Sequence, residues 1–131
     1  MRGYMATTAP EIAEFLASGS AAIESLYAPT IKFQTANVDL DEEESEYTLS
    51  LLAAEEALEL RHDEIGPAFV LALEVPEEMI LEHSEISITL KENASWKHVE
   101  CAFLVSEDGE ELTWFATQEI PGNLKAWLAG M

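Results

Sequence analysis

The chain has 131 residues, and 26 Asp and Glu against 6 Lys and Arg leave a formal net charge of −20 at pH 7. With 48% hydrophobic and 24% charged residues it reads as one soluble acidic domain over 1–131, because chains that stay unfolded are poor in apolar residues. Direct binding to nucleic acid or to an anionic membrane is disfavoured, since both need clustered Lys and Arg and the six here are scattered from Arg2 to Lys125.

No apolar run approaches the ~18–20 residues that span a bilayer, and no charged-then-apolar leader opens the chain, so the expected location is the cytoplasm. Cys101 is the only cysteine, which excludes an intrachain disulfide and a thiolate metal cluster within one chain.

In chain order, residues 4–7 read as a short first strand. Thr8-Ala9-Pro10-Glu11 then carries the signs of a helix start: a hydroxyl cap, an early proline and an acid in the first turn. Ile12, Phe15 and Leu16 fall on one face, and Gly19 is a natural stop. Ala21, Ala22, Ile23 and Leu26 suggest a second short helical turn before Pro29. Residues 30–36 alternate Ile31 and Phe33 with Lys32 and Gln34, which predicts a half-buried strand.

Residues 39–46 hold six acids in eight positions, Asp39, Asp41, Glu42, Glu43, Glu44 and Glu46, directly before a helical pattern over 45–63. Acids there complement the positive end of the helix dipole. At 100° per residue Tyr47, Leu51, Ala54, Leu58 and Arg61 share the expected core face, while Leu49, Leu52 and Leu60 lie opposite, beside Glu56 and Glu59. Such a helix is either sandwiched within the fold, the favoured reading, or lends its second stripe to a partner subunit, which keeps a homodimer open.

Gly66-Pro67 ends this segment, and residues 68–75 are continuously apolar in the manner of a central strand buried on both faces. Pro76 closes that strand. A single turn over 77–81 follows, then a strand in which Ile86, Ile88 and Leu90 alternate with Ser87 and Thr89.

Asp108-Gly109 predicts a two-residue type I′ hairpin turn between strand patterns at 99–106 and 111–120. The implied register sets Val105 opposite Leu112, Phe103 opposite Trp114, Cys101 opposite Ala116 and Val99 opposite Gln118, an apolar side expected in the core. On the reverse side Leu104 meets Thr113, Ala102 meets Phe115, Glu100 meets Thr117 and His98 meets Glu119. A last short helix carries Leu124, Trp127 and Leu128. The expected class is α+β, a mixed, mainly antiparallel sheet of about five to six strands with one long helix and two short helices packed on it. A ferredoxin-like or split-βαβ core is one topology that fits.

The opening Met1-Arg2-Gly3-Tyr4-Met5, the Glu46-Tyr47 pair heading an Ala- and Leu-rich helix, the apolar strand ending in Glu74-Val75-Pro76 and the closing Leu112-Thr113-Trp114-Phe115-Ala116-Thr117-Gln118-Glu119-Ile120 resemble a family of short actinobacterial proteins of unknown function. The resemblance runs in order over most of the chain, on core and strand patterns rather than on a catalytic signature. It implies an actinobacterial cytoplasmic protein and carries no substrate, cofactor or catalytic residue.

Constellations with chemistry are sparse. Glu59-x-x-His62 has a di-iron spacing, but such a site needs a second copy and further carboxylates, and His83 and His98 stand in loop or strand contexts. His98 and Cys101 are an odd number apart on an expected strand and point to opposite faces. No catalytic residue, metal set or cofactor is expected.

The favoured reading is a non-enzymatic interaction or regulatory module that binds a basic protein partner through Asp39, Asp41, Glu42, Glu43, Glu44 and Glu46, with Trp96 exposed at a turn as an added contact. The alternative is an enzyme or small-ligand binder, with a pocket between sheet and long helix lined by Tyr47, His98 and Glu119.

Overall fold

The computed structural model describes residues 1–61 and 67–129. Among them the chain runs β1 (Arg2–Thr8), α1 (Ala9–Ser18), β2 (Ser20–Ala21), β3 (Ser25–Tyr27), α2 (Ile31–Ala36), α3 (Glu42–Leu60), β4 (Ala68–Glu74), β5 (Ile80–His83), β6 (Ser87–Leu90), β7 (Ala94–Ser95), β8 (Val99–Val105), β9 (Leu112–Ala116) and α4 (Ile120–Leu128). Seven strands form one sheet in the order β5-β6-β3-β1-β4-β8-β9, and β2 pairs with β7 in a separate ribbon.

The class is α+β. Every pairing in the large sheet is antiparallel. A split-βαβ core needs a parallel pair joined by a crossover helix, so that topology is not the one adopted. No helix is long and apolar enough to cross a membrane among the described residues.

Apolar side chains on the two faces of the sheet feed two cores. On one face α1 and α4 cover Phe69, Leu71 and Leu73 of β4, Leu26 of β3 and Ile88 of β6, with Ile12, Phe15, Ile120 and Trp127 reaching down from the helices. On the other face α3 covers Tyr4 and Ala6 of β1, Val70 and Ala72 of β4, and Cys101 and Val105 of β8. The expected double burial of β4 is borne out: Ala68 to Leu73 are fully buried, and β1 and β8 flank the strand.

The opening βα unit forms, with Pro10 in the first turn of α1 and Gly19 closing it at φ 82°, but the expected hydroxyl cap does not: Thr8 stands at the N-cap position and its side chain makes no hydrogen bond to the helix. Two short segments reverse their expected types. Residues 20–27 supply β2 and β3 rather than a helical turn, because Leu26 and Ile23 are drawn into the core beside Ile88. Residues 31–36 form α2 rather than a strand. Thr30 caps this helix, its hydroxyl accepting from the Phe33 amide at 3.2 Å, and only Phe33 points inward while Ile31 is 76% exposed. Over six residues an i, i+2 alternation does not separate a strand from a helix, and the cap decides.

The long helix begins at a capping box: the Asp41 carboxylate accepts from the Glu44 amide at 2.8 Å and the Glu44 carboxylate accepts from the Asp41 amide at 3.1 Å. Its inner face is Ser45, Leu49, Ser50, Ala53, Ala54 and Ala57, and Tyr47 of the expected core face is 56% exposed. Side-chain size decides this rotation. Small residues let α3 lie close against β1 and β4, and the bulkier Tyr47 and Leu51 are displaced outward. The expected helix end at Asp63, and His62, lie outside the described residues.

The hairpin register is the expected one, with Val105 opposite Leu112, Phe103 opposite Trp114 and Cys101 opposite Ala116. The turn differs. No non-glycine residue of this loop has positive φ and Gly109 alone sits there at 76°, so the loop is not type I′. It closes through Gly109 N to Ser106 O and Ser106 N to Glu111 O, both 2.9 Å. The Asp108 carboxylate accepts from Ser106 Oγ at 2.6 Å and from the Glu110 amide at 2.9 Å, which holds it below the usual carboxylate range.

Pairing stops at Ala116, where Thr117 turns away with its hydroxyl donating to the carbonyls of Glu100 at 2.6 Å and Val99 at 3.0 Å. The expected pairs of Val99 with Gln118 and His98 with Glu119 therefore do not form. One extra residue, Glu100, also bulges β8 against β4, so that Ala72 faces Cys101 while Leu73 faces Val99. The bulge sends Val99 into the core under α1 and α4, away from Cys101.

Candidate functional site

The six acids of 39–46 occupy the turn before α3 and its first turns. Asp39, Asp41, Glu42, Glu43 and Glu44 are exposed and Glu46 is half-buried. Asp41 and Glu44 are spent in part on the capping box, which is a structural role. Among the described residues none of the six is in an ion pair. Partial burial raises the Glu46 carboxyl above the ordinary value against the opposing pull of Arg2, and Glu42 adds to the rise.

Beside these acids stands a feature that sequence reading missed. A groove of about 540 Å³ is lined by Pro29, Gln34, Val38, Leu40, Asp41 and Glu42. On the other side of α2 a second groove of about 530 Å³ is lined by Ile31, Phe33, Ala36 and Ile86 among others. Ile31 at 76%, Val38 at 83% and Ile86 at 39% exposure give this surface an apolar crest. Reading 30–36 as a strand hid it, because that reading buried Ile31.

Trp96 and Trp114 exchange their expected surroundings, while Trp127 is in the core as its helical stripe directs. Trp96 is half-buried, its ring edge-on to Phe15 at 5.2 Å, and so helps hold α1 rather than facing a partner. Trp127 is buried against Phe69 and Phe115. Trp114, placed by the hairpin register on the α3 side, is 58% exposed, since β9 is the sheet edge and α3 packs chiefly over β1 and β4.

Tyr47, His98 and Glu119 are not brought together. Tyr47 lies on α3, over one face of the sheet, whereas Trp96 and Ile120, neighbours of His98 and Glu119, pack in the core on the other face. His98 Nδ1 accepts from the Ser95 amide at 3.1 Å, and Glu119 Oε1 accepts from the Ala116 amide at 2.8 Å. Both side chains cap their own turns.

A cleft opens elsewhere, between β1 and β3, and only Glu56 of the long helix lines it. β1 and β3 share one paired position, Tyr4 opposite Tyr27. Beside it they touch closely, since a Cβ on Gly3 would stand 2.8 Å from Leu26 Cβ. Where they part, a cleft of about 450 Å³ opens, lined by Tyr4, Met5, Ala6, Glu24, Tyr27 and Glu56 among others. The Tyr27 hydroxyl donates to Glu56 at 2.7 Å. Burial, then that hydrogen bond and the charge of Glu56, push the Tyr27 phenol up to about 12.

Under the start of α3, Arg2 gathers polar neighbours. Its Nε donates to the Tyr4 hydroxyl at 3.2 Å, its guanidinium lies 3.6 Å from Cys101 Sγ, and Glu100 pairs with it at 3.8 Å. Burial pushes the Cys101 thiol up although Arg2 opposes, so the sulfur remains a protonated thiol inside the core and is a poor nucleophile. No group of three or more His, Cys, Asp or Glu is disposed to hold a metal ion among the described residues.

Fold and surface together define a two-cored α+β domain, with an acidic helix entrance beside an apolar crest. The chain belongs to a family of unknown function, DUF6912, which it matches over residues 1–109. The match ends in the β8–β9 turn, so β9 and α4 lie beyond it. No curated protein and no solved structure matches the chain.

Proposed function

We propose that this protein is a non-enzymatic interaction module of the cytoplasm that docks a basic, amphipathic segment of a partner protein on α2 and the entrance to α3. The observation that carries this reading is the adjacency of two unlike features: the exposed apolar side chains Ile31 and Val38 between two grooves, and the acids Asp41 and Glu42 on the rim of one of them. Apolar crest and acidic rim match a partner with apolar side chains on one stripe and Lys or Arg beside it. The acids steer the encounter and the crest supplies buried area.

The test is affinity capture from the host lysate at low salt, comparing wild type with two variants whose folding is verified by circular dichroism. One variant is Val38→Asp and the other combines Glu42→Lys, Glu43→Lys and Glu44→Lys. The expected result is one stoichiometric basic protein held by wild type, released by moderate salt, and lost from both variants. Retention by either variant removes this surface as the docking site.

A second reading, a small-ligand site, is supported by the cleft at the parting of β1 and β3, which the long helix meets at Glu56. Its polar groups are Tyr27, Glu24 and Glu56, and it holds no Lys, Arg or His, so the ligand class is an organic cation. Binding of such an amine, followed by calorimetry and abolished by Glu56→Gln, distinguishes this reading from docking on α2.

A further inference from the structure

The parting of β1 from β3 leaves backbone groups without a strand partner. Met1 and Val75 exchange both of their backbone hydrogen bonds, at 2.7 and 3.0 Å, so the odd-numbered residues of β1 turn their N–H and C=O towards β4. The even-numbered ones, Tyr4 and Ala6 among them, turn theirs towards β3. Tyr4 meets Tyr27 there and the ladder stops: Ala6 and Ser25, next in register, are not paired. Both residues line the cleft of about 450 Å³, and Ala6 is buried. Buried amides and carbonyls almost always have a partner, so the Ala6 backbone offers an incoming group both a donor and an acceptor.

We infer that this cleft takes the free amino terminus of a peptide, held as a short added piece of strand. The inference rests on the small-ligand reading above, not on docking at α2, and narrows its organic cation to an α-ammonium followed by an amide. The unpaired Ala6 backbone matches a group that donates and accepts at once, as a peptide amide does in strand addition. The lining contains Glu24 and Glu56 and no Lys, Arg or His, so the charged end of the ligand is a cation. The cleft is also closed at one end. Tyr4 and Tyr27 are paired there, and beside them Gly3 lies so near Leu26 that a Cβ would stand 2.8 Å from that side chain. A segment from the middle of a chain would have to run on through this closure, whereas a chain end stops at it.

Glu56 marks the closed end, since its carboxylate accepts from the Tyr27 hydroxyl at 2.7 Å. The terminal ammonium lies against Glu56, and the amide behind it reaches Ala6. Charge first and amide second is the order in which a peptide presents these groups. The residues that follow leave by way of Met5 and Ala22, which also belong to a second cleft of about 290 Å³ lined by Glu11, Glu14 and Phe15 among others. Glu11 is held there by the Thr7 hydroxyl, which donates to it at 2.9 Å. The rest of the peptide thus has an open way out, past further acids.

Calorimetry on the purified chain tests this with three probes, at about pH 6.5, where α-amines and alkylamines are both charged: trialanine amide, its N-acetylated form, and propylamine. The expected result is binding of trialanine amide, binding of propylamine weaker by about tenfold or more because it lacks the amide, and no binding of the acetylated peptide. Glu56→Gln, its fold checked by circular dichroism, weakens trialanine amide by about tenfold or more, because the charge that meets the ammonium is gone. Hydrogen exchange on wild type gives a reading that needs no variant: exchange of the Ala6 amide slows when trialanine amide is added and not when propylamine is. Propylamine that binds as well as the peptide overturns the inference and leaves the small-ligand reading standing, whereas no binding by any probe overturns both. Binding that survives acetylation, or an Ala6 amide that the peptide leaves unchanged, also overturns the inference.

Discussion

Tyr27 stands where β3 leaves β1, and its phenol is held between the sheet and Glu56. A phenol raised to about 12 in the folded protein and near ~10 in the unfolded chain binds its proton more tightly when folded. The unfolded state then loses protons first as pH rises. This contribution to stability is complete below about pH 10, falls through the interval that follows, and is gone above the folded value. Urea denaturation at stepped alkaline pH is expected to show that decline, with a smaller slope in Tyr27→Phe. A titration of phenolate absorbance in which Tyr27→Phe loses no high-pH step would mean that the Glu56 contact is absent in solution. None of this was legible in the chain, where Tyr27 and Glu56 are separated by residues 30–36, read as a strand, and by the acidic run of 39–46. Tyr47 drew attention because it heads the helix, yet it faces solvent.

At the scale of elements, what could be read in advance was whatever a strong local signal dictated. Thr8, Pro10 and Gly19 bracketed α1, and the apolar run of 68–73 marked β4. The hairpin register followed from where its turn lay, even though the turn itself proved to be of another kind. What failed were short segments whose type depends on tertiary partners: β3 exists because β6 lies beside it, and α2 because Thr30 caps it. The rotation of α3 failed for a different reason. Hydrophobicity ranks Leu and Tyr above Ala and Ser, but the sheet selects the face that lets the helix come close. The acids at its entrance were legible as a helix start, and Asp41 is expected to matter there. Asp41→Ala removes the capping box and should cost about 0.5–2 kcal/mol, read as a lowered urea midpoint with unchanged slope. An unchanged midpoint would release the acid cluster from its structural role.

Across the whole molecule the surplus of acids has few cations to meet it, and the ion pairs among described residues place none on 39–46. Self-repulsion therefore opposes the compact state, and its reach shrinks from about 10 Å at 0.1 M salt to about 3 Å at 1 M. The melting temperature is expected to rise with sodium chloride over this range. The rise should be the same at every protein concentration, which separates relief of repulsion within one chain from association between two. A melting temperature indifferent to salt would mean that the charges are already spread widely enough to do little harm. The two cores also make the molecule sensitive to where residues are counted. Because Glu100 is supernumerary in β8, everything before it along that strand is half a period out of step with everything after it. Loss of that one residue would close the ladder rather than slip it: Val99 would stay opposite Leu73 and keep its place under α1, with Cys101 still on the α3 side. A single-residue gap at this place in a related chain thus leaves both cores knitted as they are, whereas a gap between Cys101 and Val105 would exchange the faces of the residues on one side of it.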